Sequence, residues 1–315
     1  MTFFESHPNL KPPKGILFLA HGCNNQHTYF YPPVPDVCPE CIGLPEEVAI
    51  VRVAVEEFQL VVAAFSMPGF CWKKKDGQKA AVGLKELAEF YDKTSPRPLP
   101  VLALGASVGG EFVCKNFVPA MEAVDRPLSG IVAAISKPDP ADPRAKHNDK
   151  YPLPIAVYIT MVSDRPSRRK TTRIVDSLKE AHHAVEHIPL HPIPITDTFF
   201  HERIPGISKQ QSFNMSQALL KNGKLDPETR LMTFKPTGDD VPHWTHLLTP
   251  YYPALDITGI MEDRQSPVWE VLSVAYGYHK LAREGVREGF EFIFQQLEAQ
   301  SRVSGFFPSK TSVIA

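Results

Sequence analysis

The amino-acid sequence predicts an α/β fold: a doubly wound, mostly parallel sheet with a long irregular, lid-like insertion late in the chain. Three observations predict it. Apolar, β-branched runs alternate with helical patterns from Gly15 to Leu190. Those runs lack the polar alternation of a strand with one wet face, so helices cover both faces of the sheet. Beyond His191 the rhythm stops until about Pro267, in a stretch rich in proline, histidine and aromatic residues.

The elements follow in order. "GILFLAHG" (Gly15–Gly22) is a buried strand ending in a turn, and "PEEVAIVRVAVEEF" (Pro45–Phe58) a helix. That helix has proline and two glutamates at its start, where the helix dipole favours them. "QLVVAAFS" (Gln59–Ser66) is a strand and "GQKAAVGLKELAEFYDK" (Gly77–Lys93) a helix. "PVLALGAS" is a strand followed by a helix. "SGIVAAIS" (Ser129–Ser136) and "PIAVYITMVSD" (Pro154–Asp164) are two more strands, with only the proline-broken "KPDPADPRAKHNDKYPL" between them, so their crossover helix is short or missing. A helix (Arg168–Ala184), a short strand (Val185–Leu190) and a strong amphipathic helix (Arg283–Gln300) complete the pattern. The expected organisation is a core over 1–191, an insertion over 192–268 and a returning core segment over 269–315. The last residues read as a loose tail.

Composition excludes several functions. Formal net charge is −1 with no long run of one sign, which argues against nucleic acid or an anionic membrane as partner. No apolar segment approaches the roughly 18–20 residues of a membrane span. The first residues lack the charged and apolar regions of a secretory leader. The reading is a cytoplasmic protein, or a plastid one if a transit peptide has been removed. Proline, with 31 residues, concentrates in loops and stiffens them, which suits the shaping of a pocket.

Gly105-Ala106-Ser107-Val108-Gly109 matches G-x-S-x-G at the junction of an apolar strand and a helix. In a nucleophile elbow the serine sits in a strained strand-to-helix turn, and the residues two before and two after must be small. A merely tight turn would use the same glycines, but the strand and helix on either side favour the elbow. An elbow needs an oxyanion hole, and "HGCNN" ends a strand where such enzymes place their second donor loop. The candidate donors are the backbone N–H groups of Cys23 and Val108.

With these motifs the chain resembles the α/β-hydrolase superfamily of serine hydrolases, over most of its length. The segments "HGCN", "CPECIGLPEE" and "AYGYH" further resemble a group of plant and algal α/β-hydrolase-like proteins, a likeness that adds no chemistry. The superfamily resemblance implies a serine, acid, histidine triad in that chain order. Asp164, ending the second strand after the elbow, is the expected acid, with Asp139 the alternative. A helix-capping role for Asp164 is compatible with the catalytic one. Among 12 histidines, His279 directly precedes the final helix, whereas His191 follows the last strand immediately. His279 is expected if the insertion separates strand from histidine, His191 if it does not, and His243 and His246 stand behind them.

The expected chemistry is cleavage of a carboxylic ester or thioester by a carboxylesterase- or lipase-like serine hydrolase, with no metal or other cofactor. An acyltransferase with the same triad and a non-catalytic ligand-binding or receptor protein remain alternatives. Tyr29, Phe30, Tyr31, Phe199, Phe200 and Trp244 are the expected substrate-binding residues, suited to a small acyl or aryl ester. They would equally pack the insertion onto the core. Cys38-Pro39-Glu40-Cys41, with Cys23 and Cys71, raises zinc or a regulatory disulfide, but five cysteines without a leader read as reduced thiols.

Overall fold

In a computed structural model of the chain, strands β1 (Phe3–Ser6), β2 (Gly15–Ala20), β3 (Leu60–Phe65), β4 (Val101–Ala106), β5 (Gly130–Ala134), β6 (Ile155–Met161) and β7 (Val185–Leu190) form one sheet in the order β1-β3-β2-β4-β5-β6-β7. The structure describes residues 3–6, 12–66, 69–136, 151–238, 241–253 and 266–303. From β2 to β7 every pairing is parallel, while β1 runs antiparallel along β3. That edge strand carries none of the long apolar pattern that marks the others. The alternative acid Asp139, most of the β5–β6 connection and the tail after residue 303 lie outside the described residues.

Helices α1 (Pro45–Arg52), α2 (Lys74–Asp92), α3 (Val108–Phe112), α4 (Val118–Ala123) and α5 (Arg165–Glu180) connect these strands. After β7 come α6 (Phe199–Arg203), α7 (Lys209–Lys221), α8 (Val241–Leu248), α9 (Pro267–Tyr276) and α10 (Arg283–Val303). Successive strand residues point to opposite faces, and they divide into two cores accordingly. Ile16, Phe18 and Ala103 pack with α2, α3–α4 and α5 through Leu84, Phe117 and Val175. Leu17, Leu19 and Leu104 pack with α1 and α10 through Ile50, Val286 and Phe290. Burial on both faces is why the strands read as continuous apolar runs.

The stretch after β7, which shows no clean periodicity, contains helices. Helix α7 opens on a capping box in which the Ser208 and Gln211 side chains bond each other's backbone amides, a signal available in the sequence. Helices α6 to α9 share an apolar cluster of their own that includes Phe199, Phe200, Met215, Trp244 and Leu272. A buried ionic network ties this cluster to the core. The Arg203 guanidinium on α6 reaches Glu46 of α1 at 2.6 Å and also Glu284 of α10. Glu46 accepts the Arg283 amide at 3.0 Å.

Candidate active site

At the end of β4 the chain turns through Ser107, with φ 55° and ψ −119°. That left-handed φ strains a residue with a Cβ and survives only where the surroundings enforce it. Here they do. The Ser107 amide donates to the Ala134 carbonyl at the end of β5, and its carbonyl accepts from Gly110 and Glu111 in α3. A Cβ on Gly105 would lie 2.3 Å from the Gly109 carbonyl oxygen, and one on Gly109 would lie 2.2 Å from the Ala20 carbonyl oxygen. Helix α3 therefore starts hard against the end of β2, which brings the loop after β2 beside the serine.

Asp164 lies at the end of β6 and caps α5, accepting the Ser167 hydroxyl at 2.7 Å. Its other neighbour is His279, whose Nδ1 stands 2.8 Å from Asp164 Oδ2. Burial pushes the Asp164 carboxyl up, but hydrogen bonds from His279 and Ser167 outweigh it and hold the pKa down to about 2. His279 sits in the turn between α9 and α10. Gly277 closes α9 in the left-handed conformation with φ 74°, and the Tyr278 amide donates back to Ser273. The Ser163 hydroxyl donates to the Tyr276 carbonyl at 3.3 Å, fastening this turn to the end of β6. His279 Nε2 lies 2.8 Å from Ser107 Oγ. Because a carboxylate only accepts, Nδ1 carries the ring proton and Nε2 is free to accept from the serine.

Ser107, Asp164 and His279 thus meet in one cavity of about 650 Å³, lined also by Cys23, Glu47, Trp269, Tyr278 and Lys280. Among the described residues neither the Cys23 nor the Val108 amide donates a backbone hydrogen bond. His191 is exposed and outside this cavity, as are His243 and His246 on α8.

Two expectations are corrected. The aromatic residues expected to line the pocket do not line this cavity: Phe199, Phe200 and Trp244 fill the apolar cluster of the α6–α9 region, and Phe30 and Tyr31 pack on the α1 face of the sheet. Tyr29 and Phe30 border only a small recess beside it, next to Glu47. Large apolar rings gain most from full burial, which put them in cores. The cysteines expected as reduced thiols, with zinc or a regulatory disulfide as the lesser alternatives, form two disulfides, Cys23–Cys71 and Cys38–Cys41, leaving only buried Cys114 free. Adjacent parallel strands β2 and β3 carry the loops of Cys23 and Cys71 to a Cα separation of 4.4 Å. Among the described residues no group of three or more His, Cys, Asp or Glu is placed to hold a metal ion.

The sequence reading missed Glu47 and Lys280. Glu47 reads as one of two glutamates favoured by the α1 dipole, yet it is 4% exposed. Lys280 follows His279 directly and is 7% exposed. Its position beside the candidate histidine was the signal.

The strand order, with Ser107 in the turn after β4, Asp164 after β6 and His279 before the last helix, makes this an α/β-hydrolase fold. No family model and no curated protein matches the chain. Among solved structures it is similar to an esterase of Pyrobaculum calidifontis, at 16% identity and TM-score 0.41 over 70% of this chain and 80% of that one. Esterase PE8 is similar at 14% identity and TM-score 0.39, over 69% of this chain and 96% of that one. A bacterial heroin esterase is similar at 14% identity and TM-score 0.37, over 60% and 74%. No described helix is long and apolar enough to cross a membrane.

Proposed function

We propose that the protein is a serine hydrolase that cleaves a carboxylic ester or thioester of a small molecule through Ser107, His279 and Asp164. The observation that carries this reading is the unbroken path from Asp164 Oδ2 through His279 to Ser107 Oγ, with 2.8 Å at each step. His279 Nε2 takes the Ser107 proton as Oγ attacks the acyl carbonyl carbon. The resulting imidazolium is stabilised by Asp164, whose low pKa keeps it ionised. The oxyanion is held by the Cys23 and Val108 amides, each such donor typically contributing about 2.7–4 kcal/mol. His279 then protonates the departing alkoxide or thiolate. Water, deprotonated by the same nitrogen, attacks the acyl-serine and releases the acid.

The segment 192–268 is read as a lid over this site, between a core over 1–191 and its return over 269–315. Thr237, Gly238 and Val241 on the cavity wall support that reading.

Labelling with a fluorophosphonate probe tests the proposal, together with hydrolysis of short p-nitrophenyl esters. Wild type should label at Ser107 and turn over, His191→Ala should behave like it, and Ser107→Ala and His279→Ala should lose at least about 10³-fold in kcat. Folded wild type that neither labels nor hydrolyses any ester would leave a binding protein instead.

A further inference from the structure

The loop after β2 presents a side chain that the hydrolytic steps above do not use. Gly22 to Asn25 form a turn closed by the Asn25 amide on the Gly22 carbonyl at 3.2 Å. Asn24, at φ 61°, takes the left-handed position that asparagine tolerates better than most residues. The turn is pinned from the β3 side. The Asn24 amide donates to the Phe70 carbonyl at 2.6 Å, the Trp72 indole donates to the His21 carbonyl at 3.0 Å, and Cys23 is bonded to Cys71. The amides of Asn24 and Asn25 are thus bonded within the protein, whereas among the described residues that of Cys23 is not.

Asn25 lines the same cavity as Ser107, and Gly22 leaves a gap between them. Apart from its chain neighbours, a Cβ on Gly22 would first meet Asn25 Nδ2, Ser107 Cβ and the Ala106 carbonyl oxygen, each at 3.6 Å. Among the described residues the Asn25 carboxamide makes no hydrogen bond, and neither of its polar atoms is buried. Its two N–H donors are therefore open to a ligand seated beside Ser107.

A negative oxygen must be stabilised at this place. As Ser107 Oγ bonds to the acyl carbon, the π pair of the carbonyl moves onto its oxygen and the Ser107 proton passes to His279 Nε2. We infer that the Asn25 carboxamide is a third donor to this oxygen, beside the Cys23 and Val108 amides, reaching it through Nδ2 across the gap at Gly22. This rests on the hydrolase reading above. A donor held on a pinned turn needs little reorganisation as charge develops. Its bond strengthens as the oxygen becomes anionic, so it lowers the barrier more than it aids substrate binding.

The test uses the full chain with p-nitrophenyl butyrate and a butyl trifluoromethyl ketone, whose carbonyl carbon takes up Ser107 Oγ to give a stable tetrahedral oxyanion. Asn25→Ala removes the donor. Asn25→Asp keeps the size and the turn preference while replacing the donor with a negative charge. Both should lower kcat about 10²–10³-fold. KM should stay within about 3-fold of wild type, and inhibition by the ketone should weaken in step with kcat/KM. Circular dichroism and thermal melts identify the variants that fold, and should one fail, the other decides. A folded variant whose kcat stays within about 3-fold of wild type, or whose loss lies in KM with ketone inhibition unchanged, overturns the role of Asn25. Wild-type turnover and Ser107 labelling would then leave the hydrolase reading standing. Wild type that neither hydrolyses nor labels removes both.

Discussion

Asp164 Oδ2 stands 2.8 Å from His279 Nδ1 across a sequence separation of 115 residues. The carboxylate both caps α5 and orients the imidazole, so Asp164→Asn separates the two duties. An amide still accepts at the helix start but also offers N–H toward Nδ1, favouring the wrong ring tautomer. The expected result is a fall in kcat of about 10³–10⁴-fold with little change in melting temperature. Steady-state ester hydrolysis and a thermal melt on the same preparation check it.

Gly109→Ala should be among the most damaging single substitutions at the elbow. Its new Cβ would lie 2.2 Å from the Ala20 carbonyl oxygen, and that backbone belongs to a central strand that cannot yield. Overpacking of this kind costs about 3 kcal/mol. Urea denaturation should show the loss, and fluorophosphonate labelling of whatever folds should be slow.

The two disulfides should differ in importance. Cys23–Cys71 closes a sequence separation of 48 and Cys38–Cys41 one of 3. Loop-closure entropy gives the first about 2–4 kcal/mol and the second under about 2 kcal/mol. Cys23 also carries a proposed oxyanion amide. Cys71→Ser is therefore expected to lower both the urea midpoint and kcat, the latter by up to about 100-fold. A double Cys38→Ser/Cys41→Ser variant should move neither much. Equal effects from the two would remove Cys23–Cys71 from the working of the site.

Stability should fall on acidification through His21. Burial beside Trp72 lowers its pKa to about 4, while the unfolded chain protonates near 6.5. Below 6.5 the unfolded state gains a proton that the folded state refuses, so the stability present above that pH is lost progressively down to about 4. The full loss is roughly 3 kcal/mol. His27 and His187, also lowered mainly by burial, act in the same sense. Asp164, held at about 2, keeps its charge throughout this window. Urea unfolding at pH 7.5 and 4.5 should show the slope, and His21→Gln should remove most of it.

Arg203 is the nearer of two cations on the buried Glu46, at 2.6 Å against 4.0 Å for Arg283 Nε. Arg203→Met leaves that carboxylate with only the more distant Arg283 between α1 and α10. The expected destabilisation is about 3–5 kcal/mol by chemical denaturation. The paired Arg203→Met/Glu46→Met variant should recover much of it, because two well-packed apolar groups replace an ion pair at little cost.

The core strands and the elbow were legible because their signals are local. A strand buried on both faces must be apolar at every position, as "GILFLA" and "VLALGA" are. The turn at Ser107 needs glycine two residues to either side, and both are adjacent in sequence. Short or weakly patterned elements were not legible: β1 has four residues, and α6 five. Their position comes from the neighbours they pair or pack with.

By itself, the sequence determined the alternating fold, the glycine-flanked turn at Ser107 and a short set of candidate acids and histidines. Which histidine meets which acid was a tertiary decision. His279 and His191 are chemically identical, and only the turn after α9, fastened to β6 by Ser163, brings one of them to Ser107. The cavity wall was decided the same way. Aromatic residues that looked like pocket lining were drawn into cores by the gain from full burial. Glu47, which reads as a glutamate favoured by the α1 dipole, and Lys280, which the motifs do not single out, line the cavity instead, because folding distributes side chains by what surrounds them in space.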